Sequence, residues 1–290
     1  MMNDKTRREF LKACFKIGGY AGISCLGMGA IEDARGWGIL PAVVSGSGAT
    51  TGIRSYSNWS EDAESTLNTT NNYIAFMESA AGDETGVGAG LSGTELVLTE
   101  TGTIGAATGT PPYRHVEDDY FTPDVALVNL ICNVNETWTI IIKAKNISLA
   151  ASKYVFDFRD AGGEERLAVY DDASNLYLII EQDNAGDVSC NTTFPLPQDA
   201  DVVYICAWAD GGVTGARVGW TKSGSGKNGQ PTRISDFGAN NYATNANKGA
   251  WAGETFTGGI FNFFNYNNDS FRITGDFYYI LVSTECLIAN

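Results

Sequence analysis

Thr137-Trp138-Thr139-Ile140-Ile141-Ile142-Lys143-Ala144-Lys145 decides the fold class. Trp138, Ile140, Ile142 and Ala144 fall on one face of an extended segment, and Thr139, Lys143 and Lys145 on the other, with Ile141 the exception. A period of two marks a strand with one buried face. The alternation returns with Tyr154, Phe156 and Phe158 set against Asp157 and Arg159, then with Leu176, Leu178 and Ile180, and then over Val202–Trp208 and Ala216–Trp220. Turn formers separate these runs: Asp160-Ala161-Gly162-Gly163, Asp171-Asp172-Ala173-Ser174-Asn175, Asp183-Asn184-Ala185-Gly186, Pro197-Gln198-Asp199 and Asp210-Gly211-Gly212. Short strands punctuated in this way predict an all-β antiparallel sandwich.

The bulk composition agrees. Of 290 residues, 43% are hydrophobic and 11% aromatic, enough for a core, while 34 glycines and only 18% charged residues suit a turn-rich β protein. The formal net charge is −15, and the cations are not clustered outside the first sixteen positions. Such a surface repels the phosphates of nucleic acid, so that class of partner is set aside.

Thr6-Arg7-Arg8-Glu9-Phe10-Leu11-Lys12 opens the chain and a modestly apolar, glycine-rich stretch from Ile17 to Ile31 follows it. This resembles the twin-arginine (Tat) export signal, with Arg7, Arg8, Phe10 and Leu11 as its recognition residues. The resemblance implies passage of an already folded chain through the Tat translocase to the periplasm, the cell surface or the medium. Membrane contact is then confined to transit of the signal region, whose apolar stretch is too weak for a span. The nearest small-residue cleavage site ends at Ala30. Gly22-Ile23-Ser24-Cys25 resembles a lipoprotein box without its usual leucine.

The chain therefore divides into a signal region (1–30), a Gly/Ser/Thr-rich extension (31–93) and the sandwich (94–290). Within the extension, Ala63, Leu67, Thr70, Ile74 and Met77 have helical spacing, and Tyr73–Met77 reads equally well as an additional strand.

An ordered series of segments narrows the fold. Asp118-Asp119-Tyr120-Phe121 precedes Glu136–Lys145; Val155–Gly163 ends in a glycine turn; Arg166–Tyr170 and Leu176–Glu181 form a hairpin. Ser189–Phe194 leads through Pro195-Leu196-Pro197 to Val202–Asp210, and Phe271–Val282 closes the series with Gly275 ahead of an alternating run. In this order the segments resemble a laminin-G-like, concanavalin A-like jelly roll, the fold of many lectins and glucanases. The resemblance implies a rim able to hold calcium through Asp and Asn oxygens, for which Asp160 and Asp210, at turns, are the candidates.

Cys14 and Cys25 belong to the signal region. Cys190 and Cys206 flank Pro197-Gln198-Asp199 as hairpin partners would, and Cys132 would then pair with Cys286 where the first and last strands adjoin. In an oxidising compartment these are expected as two disulfides, with four buried thiols as the alternative.

For chemistry the sequence offers one histidine, His115, read as a surface or packing residue. The acidic runs Glu117-Asp118-Asp119 and Glu164-Glu165 sit beside turns with neighbours on opposite faces. They lack the Glu-x-Asp-x-x-Glu spacing that turns two carboxylates into one cleft. The long segment Thr221–Gly258 is rich in Gly, Asn and Ser with aromatics interspersed, and loops of that length in a compact domain are usually functional or mobile. Aromatic faces stack on sugar rings and Asn amides bond hydroxyls both ways. Asn240, Asn241, Tyr242 and Trp251 are therefore the candidate ligand contacts, with the alternative that the aromatics pin the loop to the core. The expectation is an exported, non-catalytic module for a glycan or cell-surface partner. A polysaccharide hydrolase or lyase on the same sandwich, or a structural subunit exported with a folded partner, is the alternative.

Overall fold

The computed structural model describes residues 72–77, 82–85, 87–88, 97–132, 137–148, 153–162, 165–181, 188–194, 201–210, 215–226, 229–245, 256, 258–265 and 272–290. All of them fall in the unit that runs from Tyr56 to Asn290. The signal residues Arg7, Arg8, Phe10 and Leu11, and Trp251, lie outside the described residues.

The described strands are β1 (Asn72–Phe76), β2 (Glu84–Thr85), β3 (Val87–Gly88), β4 (Val97–Thr101), β5 (Arg114–Val116), β6 (Tyr120–Pro123), β7 (Thr137–Ser148) and β8 (Lys153–Asp160). They continue as β9 (Arg166–Asp171), β10 (Asn175–Glu181), β11 (Val188–Thr193), β12 (Val202–Asp210), β13 (Ala216–Thr221), β14 (Tyr242–Asn245), β15 (Gly259–Phe263) and β16 (Thr274–Ser283). One helix, α1 (Val125–Cys132), and a 3₁₀ turn (Ile234–Asp236) complete the described elements.

The strands form two eight-stranded antiparallel sheets. The first has the order β14-β13-β12-β7-β16-β1-β3, with β5 also on β16, and the second β11-β10-β9-β8-β15-β6-β4-β2. The chain is thus the β-sandwich its alternation predicts. The segment that read as helix or strand is the strand β1, paired with β16 from Asn72↔Ser283 to Phe76↔Tyr279. The first sheet accordingly draws on residues ahead of position 94.

One core lies between the sheets. Trp138, Ile140, Ile142 and Ala144 of β7 point into it with Val203, Ile205 and Ala207 of β12, and Phe156, Phe158, Leu176 and Leu178 meet them from the second sheet. Full burial of each large side chain contributes about 1.5–3 kcal/mol, so truncating Ile142 to alanine would cost about 2–5 kcal/mol.

Ile141, the exception to the alternation, has a physical explanation. The outer face of the first sheet is also covered, and Ile141 joins Phe76, Cys206, Trp208, Phe237, Leu281 and Ile288 in a second apolar cluster. The C-terminal residues are tied over this face. Thr139 Oγ1 donates to the Glu285 carbonyl (2.7 Å) and accepts from the Leu287 amide (2.9 Å). That double coverage is why β12 is buried on both faces from Val203 to Ala209.

The two expected disulfides are not formed: Cys190, Cys206 and Cys286 are free thiols. The hairpin that would align the first pair does not exist. β11 pairs with β10 at the edge of the second sheet, whereas β12 lies between β7 and β13 in the first. Cys190 faces the core between the sheets, and Cys206 the outer cluster beyond the first sheet. Cys286 Sγ instead donates to the Ile288 carbonyl at 3.2 Å.

Candidate functional site

Asn240, Asn241 and Tyr242 lie together in the turn that enters β14, at one edge of the first sheet. Main-chain bonds set this turn firmly. The Trp220 amide donates to the Asn241 carbonyl (2.9 Å), the Asn241 amide to the Gly238 carbonyl (2.8 Å), and Thr192 Oγ1 to the Asn240 carbonyl (2.6 Å). Because Thr192 belongs to β11, this last bond fastens the rim of the first sheet to the edge of the second. Gly219 makes the close packing possible: a Cβ there would lie 2.9 Å from both Phe237 and Tyr242. The backbone is thereby held while the Asn240 residue stays exposed and Asn241 and Tyr242 are half-buried. Tyr242 leans edge-on against Phe237, with ring centroids 6.4 Å apart. Farther along the same segment, Phe256 is a core residue, its amide and carbonyl both bonded to the Asn129 side chain at 2.9 Å.

The two turn aspartates sit at strand ends in different sheets, Asp160 ending β8 and Asp210 ending β12. Asp160 Oδ2 accepts from the Gly162 amide (3.1 Å) as a turn cap, and Asp210 faces Arg217 Nη1 at 3.1 Å. Among the described residues no three His, Cys, Asp or Glu side chains are grouped as a metal cage would require.

His115 on β5 is half-exposed, with Nδ1 2.8 Å from Asp276 Oδ1 and Nε2 3.8 Å from Glu117. Asn146 Nδ2 donates to the other Asp276 oxygen (2.6 Å). The ring's partners among the described residues are carboxylates, so the hydroxyl or thiol contact that a nucleophile–base pair needs is not made there.

A second constellation occupies the outer face of the second sheet. Tyr154, Tyr170 and Tyr177 are cross-strand partners on β8, β9 and β10. Their rings stack at 5.3 Å and 25°, then 4.8 Å and 12°. All three are half-buried, and the row continues to the exposed Asn191 on β11. Beside the row, Arg166 Nε donates to Asp157 Oδ1 (2.6 Å) and the guanidinium lies 5.2 Å over the Tyr154 ring. Asp157 is 0% exposed although it points away from the core. Desolvation pushes its carboxyl upward, against the pull of the Arg166 charge and hydrogen bond. Thr122 and Asn262 extend this polar floor on the other side, with 3.4 Å between their side-chain oxygens.

The alternation misplaces part of this face. It groups Tyr154 with Phe156 and Phe158, but a bulge between Tyr154 and Phe156 turns both Val155 and Phe156 inward. Tyr154 therefore shares the outer face with Asp157. The pairing of Tyr170 with Tyr177 was within reach, since they flank the Asp171–Asn175 turn opposite the buried Leu176 and Leu178.

No protein-family model matches the chain, and neither does any curated protein sequence. Similar solved structures include botulinum neurotoxin type C, in work on its cell entry through two ganglioside molecules, at 10% identity and a TM-score of 0.47 over 75% of this chain and 49% of that one. The binding domain of botulinum neurotoxin DC, in complex with rat synaptotagmin II, is 8% identical with a TM-score of 0.47, covering 75% and 49%. The CBM40 of the Ruminococcus gnavus IT-sialidase, bound to α2,3-sialyllactose, is 13% identical with a TM-score of 0.32, covering 53% and 78%. The chain spans about half the length of the two toxin chains.

Proposed function

We propose that this chain is an exported, non-catalytic module that binds glycans, alone or on a cell-surface partner, with Asn240, Asn241 and Tyr242 at its contact rim. The observation that carries the reading is the rim turn itself. Two main-chain bonds and one from the Thr192 hydroxyl fix its backbone while it presents an exposed amide beside a half-buried tyrosine. Amides bond hydroxyls in both directions, a tyrosine offers an apolar face with a polar tip, and a turn already held in place loses little entropy on binding. Arg7 and Arg8 serve export by the Tat route, and replacing both by lysine is expected to leave the precursor inside the cell.

The test is a glycan array probed with the purified chain, with and without calcium. Binding that Tyr242→Ala and Asn240→Ala abolish, at an unchanged melting temperature, supports the rim. Binding that requires calcium brings Asp160 or Asp210 into the site. A blank array in both conditions overturns the reading.

A further inference from the structure

The tyrosine row on the second sheet adds nothing to the core between the sheets, whose apolar members are complete without it. It is nevertheless ordered from end to end. The Tyr154 hydroxyl bonds Arg166, and the Tyr177 hydroxyl bonds Asp172. Arg166 is itself held by Asp157, whose second oxygen, Oδ2, is buried without a hydrogen-bond partner. A buried ion pair with an unsatisfied oxygen costs desolvation that packing alone does not require, and such departures from local economy concentrate at functional sites.

The shape of the row defines what fits it. It runs across the strands, and at about 4.8 Å per strand the path from Tyr154 to Asn191 is about 14 Å long. Along it lie half-exposed aromatic rings, a tyrosine hydroxyl at each end, and the Asn191 amide. That is a linear sequence of apolar edges and two-way hydrogen-bonding groups. The far end adjoins the rim, because Thr192, the residue after Asn191, holds the Asn240 carbonyl.

We infer that the outer face of the second sheet binds an extended glycan chain, laid across the strands from Tyr154 through Tyr170 and Tyr177 to Asn191 and reaching the rim at Asn240. This rests on the glycan-binding reading above and adds to it a preference for several consecutive sugars over a single terminal one. The Arg166–Asp157 pair positions the first ring of the row, and Asp172 positions the third.

Calorimetric titration of the full chain with cello-, xylo-, manno- and chito-oligosaccharides, from disaccharide to hexasaccharide, tests it. For the series that binds, affinity is expected to rise about tenfold or more between disaccharide and tetrasaccharide. Tyr177→Ala should lose about tenfold on the tetrasaccharide and leave the disaccharide unchanged. Asn191→Ala, at an exposed position, should weaken the longer ligands in the same way, which keeps the test decisive if a tyrosine variant folds poorly. Equal affinity for every length, with Tyr177→Ala and Asn191→Ala silent but Tyr242→Ala inactive, would overturn this inference and leave the rim reading standing. Failure of every oligosaccharide and of the array would remove both.

Discussion

Replacing Asp171 by asparagine probes the hairpin that carries Tyr170 and Tyr177. Asp171 ends β9 and is 0% exposed. Its Oδ2 accepts from the Ala173 amide (2.8 Å), while Oδ1 is buried without a hydrogen-bond partner. Desolvation raises its carboxyl from 3.8 to about 6; the Ala173 bond opposes this and the neighbouring Asp172 charge adds to it. A displacement of that size corresponds to about 3 kcal/mol of preference for the neutral form. The folded chain holds the proton more tightly than the unfolded one, so the group's contribution is most favourable below about 3.8. It declines as pH rises towards about 6 and is constant above. Asparagine keeps an oxygen for the Ala173 amide and carries no charge. At pH 7 Asp171→Asn should therefore be more stable by about 1–3 kcal/mol, or about 2–4 °C in Tm per kcal/mol for a domain of this size. The gain should vanish in acid below about 3.8. Thermal unfolding followed by circular dichroism across that range reads both. A variant that is less stable than the parent at neutral pH would refute the reasoning, since the carboxylate would then be a favoured charge.

Three further outcomes follow from the packing. Burial pushes the Cys190 thiol up to about 12 and the Cys206 thiol well above its ordinary value, so neither should react with a disulfide reagent until the chain unfolds, and reductant should leave Tm unchanged; mass mapping after native labelling checks this. Gly219→Ala would set a Cβ 2.9 Å from Phe237 and Tyr242 and 3.0 Å from the Asn241 carbonyl, so it should cost about 1–3 kcal/mol and weaken rim binding together, as denaturant titration and calorimetry would show. Arg114 is 0% exposed, ion-paired to Glu100 at 2.5 Å and bonded to the carbonyls of Gly82, Ile104 and Gly105. Glu100→Gln should thus remove the negative charge that faces this buried cation and cost about 3–5 kcal/mol in urea unfolding.

Much of the fold is legible because alternation and turn residues act locally. The runs at Thr137–Lys145, Leu176–Ile180 and Ala216–Trp220 became strands β7, β10 and β13. Pairing between distant segments is less legible. Cys190 and Cys206 are separated by a turn-like stretch, yet the chain between them passes from one sheet to the other, and sequence spacing does not distinguish that crossing from a hairpin. Ile141 was readable only as an exception, since the residues that cover it, Phe237 and Ile288, lie far along the chain. At the rim, Asn240, Asn241 and Tyr242 were legible as a group because they are contiguous. What fixes them, the Thr192 bond, is long-range.

The outer faces show most directly why sites escape a periodic reading. A period of two holds only while each residue on one strand opposes one on its neighbour, and a bulge breaks that count by one. The bulge in β8 frees Tyr154 from the Phe156 face and places it in line with Tyr170 and on the same side as Asp157. β16 repeats the device. A shift between Phe277 and Tyr279 leaves Phe277 in the core and sends both Tyr278 and Tyr279 outward, where with Tyr204 they enclose the Lys143 amine at 5.4–6.0 Å. Burial there lowers that amine to about 8. In each sheet a bulge thus assembles tyrosines around a cation on the face that the alternation assigns to solvent. Deleting Val155 would remove the extra residue and set Tyr154 directly before the inward-facing Phe156, so Tyr154 would keep the outer face beside Arg166 while the core would lose the Val155 side chain.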